Sequence, residues 1–210
     1  MITIYHLNMS RSERIIWLME ELGLPYQLEK FQREPGMEAP QSLRAIHPLG
    51  KAPVVRDGDT VLVESGAIVE YIINRYGGGR LGVPADSADY ARYIQWMHFA
   101  EGSAMMQFLN HLFLSGRFVP GVDQSSPWVA RISGRSIELL KYIDSELVSR
   151  PYFAGDNFTA ADIMMVFAFG AAKNFLQIDM TPFPNINRYL ERIAKRPAYQ
   201  KAMAIANPPA

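Results

Sequence analysis

Ser10 is the first residue whose position suggests chemistry. It stands in "NMSRSER", residues 8–14, between a β-branched, aromatic run and an apolar run of helical period. Glu13 follows three residues later. That spacing is a capping box, in which the hydroxyl accepts from a backbone N–H and the carboxylate reaches back. The same geometry serves an anion. A hydroxyl at a helix N-terminus can donate to it, and the helix dipole stabilises its charge. No histidine stands as partner for a nucleophilic triad, so Ser10 reads as a donor and not as an attacker.

A second stretch is "HPLGKAPVV", residues 47–55. Pro53 begins or precedes a strand, where it forfeits a ladder donor. Such a proline marks a turn and permits a cis peptide. Ala52, just before it, can then offer its N–H and C=O to an extended ligand backbone. The third stretch is "VESGAIVEYI", residues 63–72, where an apolar run stops at Glu64 and Ser65 and a helical pattern begins. One reading makes Ser65 an N-cap and Glu64 a favourable charge near the helix start. The other takes the pair as complementary sites. The carboxylate binds an ammonium, while the hydroxyl and free N–H groups bind a carboxylate. Together they match the two ends of an amino-acid headgroup.

Three further patterns are weighed beside these. Thr159 and Asp162 form a second capping box, opening an apolar helix, and read as structural. The four histidines, His6, His47, His98 and His111, show no metal-ligand spacing, so no metal site is expected. "HFAEGSAMMQFLNHLF" sets Met105, Met106 and Phe108 at helical spacing. These are either core or an apolar wall for a ligand, a use that suits soft methionines.

The elements that must position these residues follow from period and punctuation. "ITIYHL" and "YQLEKF" read as strands around a helix whose Ile15, Leu18, Met19 and Leu22 form one apolar stripe, stopped by Gly23 and Pro25. "EPGMEAPQSLRAI" reads as a weak helix with two prolines near its start. "APVVR" and "TVLVE" are strands joined by Asp57-Gly58-Asp59, a hairpin signal. "SGAIVEYIINRY" is helical, with Ile68, Ile72 and Tyr76 on one face. The order is β-α-β-α-β-β-α, with the first pair of strands parallel and the last antiparallel. Glycine-rich residues 79–88 read as a linker. Beyond them only helices are expected, at 87–117, 127–149, 159–173, 185–195 and 198–206. The fold class is thus α/β plus all-α, with domains at 1–78 and 89–210.

Bulk composition removes several function classes. Lys and Arg number 21, balanced by 21 Asp and Glu, so nothing points to nucleic acid. There is no cysteine, which rules out disulfides, thiolate metal sites and a catalytic thiol of the protein's own. No apolar run approaches the roughly 18 residues that span a membrane, and the N-terminus lacks a signal-peptide pattern. A cytoplasmic protein is expected, with no membrane partner.

Four motifs in register, "SRSERIIWLMEELGLPY", "HPLGKAPVV", "VESGAIVEYI" and "FTAADI", resemble a cytosolic glutathione transferase over essentially the whole chain. The resemblance is to a serine-type, bacterial-like member. It implies a thioredoxin-like N-terminal domain, a C-terminal helical bundle that supplies the hydrophobic-substrate site, and a homodimer working in detoxification. It makes glutathione the cosubstrate, with no metal, and a small hydrophobic electrophile the partner. Ser10 matches the serine that hydrogen-bonds the glutathione sulfur, with Ser12 and Asn8 as neighbours that could hold the role instead. Lys51 matches a contact to the glycyl carboxylate. Ala52 precedes the family's cis-proline, here Pro53, and pairs with the cysteinyl backbone. Glu64 and Ser65 match the grip on the γ-glutamyl headgroup. The region "GMEAPQ", with Glu38, lacks the base that other members use at the glycyl end.

A free thiol has a pKa of about 8.5, so little is ionised at neutral pH. A hydroxyl donor and a helix N-terminus both favour the thiolate, which then attacks an electrophile. Two alternatives stay open. One is glutathione-dependent peroxide or disulfide reduction without a protein thiol. The other is a non-enzymatic ligand-binding or scaffold protein.

Overall fold

The structure is a computed structural model that describes residues 1–208. The chain opens with β1 (Ile2–Leu7), α1 (Glu13–Leu22), β2 (Tyr26–Phe31), α2 (Gln41–Ile46), β3 (Val54–Asp57), β4 (Thr60–Val63) and α3 (Ser65–Arg75). The strands form one sheet in the order β2-β1-β3-β4. β1 and β2 run parallel, while β3 is antiparallel to both β1 and β4. This is the thioredoxin-like arrangement expected. Central β1 is buried almost throughout, as a strand covered on both faces must be, whereas edge strand β2 alternates.

Gly23 ends α1 in the left-handed region at φ 65°, with Leu24 N–H returning to Met19 O at 3.0 Å. The stripe expected for α1, Ile15, Leu18, Met19 and Leu22, is buried, and burial extends beyond it. Arg14 through Met19 are buried without a break. The reason lies far along the chain. Helix α9 (Pro197–Ala206) packs against α1, with Tyr199 edge-on to Trp17 at 4.8 Å and Arg196 paired in two bonds of 2.7 Å to Glu21. The compact unit that holds the sheet is therefore Met1–Gly82 together with the segment from Ile193.

The second unit, Val83–Arg192, is helical among its described residues. It contains α4 (Tyr90–Phe99), α5 (Met106–Leu114), α6 (Pro127–Glu146), α7 (Ala160–Gly170) and most of α8 (Pro184–Ala194). The long helix expected over 87–117 is interrupted by a π-turn at Ala100–Met105, and a second π-turn, Ala171–Phe175, follows α7. The expected helix over "EPGMEAPQSLRAI" shrinks to Gln41–Ile46, because Pro40 takes an extended ψ of 155° and bars helix before it. Tyr93 and Trp96 of α4 are buried, and Trp96 lies 4.6 Å from Phe153. The Thr159–Asp162 capping box forms as read.

Candidate active site

Register decides which loops meet. Tyr5 pairs with Val54, Val54 with Val63, and Leu7 with Phe31. The end of β1, the end of β2, the start of β3 and the end of β4 therefore share one edge of the sheet. From that edge emerge residues 8–12, 32–40, 47–53 and 64–65. Every residue read as a headgroup, backbone or sulfur contact belongs to one of these segments. This is the carboxyl end of the parallel strands, where open α/β sheets place ligands.

The capping box expected at Ser10 does not form. Helix α1 begins two residues later than that reading supposed, with Ser12 as its N-cap residue. The Glu13 carboxylate turns away and accepts from Asn207 Nδ2 at 3.1 Å. Burial raises its pKa against that bond and the charge of Arg14. Ser10 Oγ instead accepts the Ser12 N–H at 3.3 Å and lies 2.7 Å from Ser12 Oγ.

The three residues read as candidate sulfur contacts differ in their surroundings. Ser12 is 0% exposed, and its Oγ sits 2.7 Å from His6 Nδ1. Asn8 is occupied: its Oδ1 accepts the Arg33 N–H at 2.8 Å, while Arg33 side-chain nitrogens donate to the carbonyls of Asn8 and Met9. Arg33 thus clamps the turn that presents Ser10, and nothing in its sequence position announces this. Met9 holds that turn with a φ of 50°. Ser10, at 6% exposure, is the outermost of the two linked hydroxyls.

At the β4–α3 junction the N-cap expectation is also corrected. Ser65 is the first helical residue, and Glu64 is the cap. Glu64 is exposed and holds φ 71°, ψ 116°, a left-handed backbone that a non-glycine residue adopts at a cost of about 1–3 kcal/mol. Ser65 is buried, and its Oγ accepts from Arg14 Nη1 at 3.4 Å. An acceptor bond to Arg14 leaves the Ser65 hydroxyl hydrogen for another partner. The arrangement pairs an exposed carboxylate with a hydroxyl backed by a buried guanidinium. It can hold an ammonium and a carboxylate side by side.

The Ala52–Pro53 peptide is cis, and Ala52 lies beyond Val54, where the β1–β3 ladder ends. Lys51 is exposed, as is Glu38. Of the three residues read as an apolar wall, Met105 and Phe108 are core residues of the helical unit, and Met106 is 56% exposed. Among the described residues, no group of three His, Asp or Glu side chains is arranged to hold a metal ion. His6 is buried inside β1, where a histidine carries no spacing signal that the sequence could show.

Known proteins share this build. The family profile "Glutathione S-transferase, N-terminal domain" matches residues 1–74, and "Glutathione S-transferase, C-terminal domain" matches residues 108–197. Glutathione S-transferase 3 of Schizosaccharomyces pombe is 36% identical over 94% of this chain and 85% of its own length. A glutathione S-transferase crystal structure from Actinobacillus pleuropneumoniae superposes with a TM-score of 0.88 at 32% identity, covering 99% of this chain and 93% of that one. The theta class enzyme of Xanthomonas axonopodis pv. citri, solved with glutathione bound, gives a TM-score of 0.76 at 28% identity, covering 96% of each chain.

Proposed function

The chain belongs to the glutathione S-transferase family, and from that premise we propose that it is a serine-type member with Ser10 as the sulfur contact. It is an enzyme that joins the thiolate of glutathione to electrophiles, with glutathione as cosubstrate. Glu64 takes the α-ammonium of the γ-glutamyl end, and Ser65 donates to its carboxylate. The backbone of Ala52, before Pro53, pairs with the cysteinyl residue. Lys51 reaches the glycyl carboxylate. These contacts place the sulfur at Ser10, where a hydroxyl and the start of α1 favour the anion. The thiolate forms a carbon–sulfur bond as the electrophile's leaving group departs or its double bond accepts the electron pair. The protein supplies position and field, and the cosubstrate supplies the nucleophile.

The observation that carries this reading is the shared sheet edge, which gathers residues 8–12, 47–53 and 64–65 through the Tyr5–Val54–Val63 register. The electrophile is a small hydrophobic molecule, and of the apolar candidates Met105, Met106 and Phe108 only Met106 is exposed. We assign the enzyme to the cytoplasm, in detoxification, as a homodimer. None of the described helices is long and apolar enough to cross a membrane. Light scattering should return twice the chain mass, and a fully active monomer would overturn the dimer.

Product analysis with a panel of haloaromatic and enone electrophiles, run beside a panel of hydroperoxides, tests the reaction class. Thioether products are expected from the first panel. Activity confined to the peroxides, with oxidised glutathione as sole product, would replace conjugation by reduction.

A further inference from the structure

His6, Ser12 and Ser10 form a continuous buried chain of hydrogen bonds leading from the end of α9 to the sulfur site. His6 Nε2 lies 2.9 Å from the carbonyl oxygen of Ala206, and His6 Nδ1 lies 2.7 Å from Ser12 Oγ. Ser12 Oγ lies 2.7 Å from Ser10 Oγ. His6 and Ser12 are buried, at 1% and 0% exposure. We infer that this chain is a proton relay, with His6 as the terminal acceptor of the glutathione thiol proton. The inference rests on the reading of Ser10 as the sulfur contact.

The polarity of the chain follows from its fixed end. A carbonyl oxygen only accepts, so His6 Nε2 carries a hydrogen. Burial holds the His6 pKa below its ordinary value, so the resting ring is neutral and Nδ1 is an acceptor. Ser12 then donates to Nδ1 at 2.7 Å, the shorter of its two possible acceptor contacts, the other being the Leu7 carbonyl at 3.4 Å. The Ser12 oxygen is left to accept, and the Ser10 hydroxyl donates to it. In this resting state the one hydrogen of Ser10 points inward. Ser10 offers an incoming sulfur only a lone pair, which suits a thiol and not a thiolate.

Ionisation reverses the chain. The S–H bond breaks as its proton passes to Ser10 Oγ. The former Ser10 proton passes to Ser12 Oγ, and the former Ser12 proton to His6 Nδ1. Three bonds to hydrogen break and three form, and both serines end neutral. The products are a thiolate that accepts from Ser10 and an imidazolium whose two N–H groups donate to Ser12 Oγ and Ala206 O. No heavy atom has to change partner, because the same contacts satisfy both states of the ring.

The charges facing His6 set the balance. Lys30 stands opposite it on β2, opposes the imidazolium, and bonds the carbonyl of Ile205 at 2.6 Å. The Glu13 carboxyl of α1 has its own partners, Arg14 beside it and Asn207 bonded to it, and Tyr199 of α9 faces it. The last carbonyls of α9, Ile205 and Ala206, carry the negative end of a helix dipole and favour a cation at His6. A purely structural His6 would tie β1 to α9 and keep one protonation state whatever the sulfur does.

The test reads the ring and the sulfur separately on the full chain. Imidazole nitrogen shifts are recorded by long-range proton–nitrogen NMR, with His6 assigned from the signals lost in His6→Asn. Thiolate ultraviolet absorbance of bound glutathione is titrated in parallel. His6 should be neutral with Nε2–H in the free enzyme and doubly protonated in the complex with ionised glutathione. S-methylglutathione, which has no thiol proton, should leave it neutral. Ser12→Ala should keep His6 neutral in the glutathione complex and raise the bound thiol's pKa by about one unit, tenfold in thiolate at lower pH. A neutral His6 beside bound thiolate in the wild type overturns the relay, as does an unchanged thiol titration in Ser12→Ala. If Ser10→Ala leaves that titration unchanged, the sulfur-contact reading itself falls, whatever the state of His6.

Discussion

Arg14 Nη1 donates to Ser65 Oγ at 3.4 Å, joining the first turn of α1 to the first turn of α3 inside the sheet unit. The bond links the two helix starts that frame the proposed glutathione site. It also fixes how Ser65 can be used. With Arg14 donating to it, the hydroxyl keeps its own hydrogen for an anion, and a guanidinium stands behind that anion.

Glu64→Ala and Ser65→Ala should therefore weaken glutathione binding far more than they unfold the protein. Each removes a charge-assisted hydrogen bond, worth roughly 1.5–3 kcal/mol. Calorimetric titration should show dissociation constants raised by at least tenfold. Unchanged constants with a lower melting temperature would return the pair to a purely structural role.

Ser10→Ala should raise the pKa of bound glutathione, which in the wild type should lie roughly 1–2 units below its solution value. Turnover at neutral pH should fall by about 10- to 1,000-fold, the range for loss of one donor to a developing anion. Affinity should change less, because the headgroup contacts remain. Coincident thiolate absorbance curves for wild type and variant would reject Ser10 as the sulfur contact.

Asn8→Ala separates positioning from chemistry. Asn8 Oδ1 accepts the backbone N–H of Arg33, so its loss leaves a donor unmet in the clamp on the 8–9 turn. Stability should drop by about 1 kcal/mol. The bound thiol's pKa should move less than in Ser10→Ala. A larger shift in Asn8→Ala than in Ser10→Ala would transfer the sulfur contact to Asn8.

Asp162 predicts a stability profile against pH. Burial pushes its carboxyl up from 3.8 to about 6, against bonds from Phe153 N, Thr159 N, Thr159 Oγ1 and Tyr189 Oη. A folded-state pKa above the unfolded one means the folded chain binds the proton more tightly. Stability from this group is therefore full below about pH 4 and lost as pH rises through about 6, with a limiting slope of about 1.4 kcal/mol per pH unit. Urea unfolding of wild type and Asp162→Asn should show a difference that shrinks from pH 4.5 to pH 7. A difference that grows with pH would mean that the four donors hold the carboxylate ionised.

The elements, and the motifs whose partners lie close in the chain, are legible from local pattern alone. The β-α-β-α-β-β-α order was legible because strand and helix periods are local, and Gly23 and Asp57-Gly58-Asp59 punctuate them. The Thr159–Asp162 capping box was legible because both bonds close within one helical turn. The same spacing misled at Ser10 and Glu13. There the choice between a cap and a tertiary partner was made by Asn207, which is 194 residues from Glu13. Helix α1 has a readable stripe, but α9 buries its outer face as well, and no local period encodes that. Only tertiary structure joined Arg14 to Ser65, Arg33 to the Ser10 turn, and His6 to Ala206, 200 residues away. Burial strengthens such bonds and makes an unmet polar group costly, so these contacts hold firmly once the chain's path has brought their partners together.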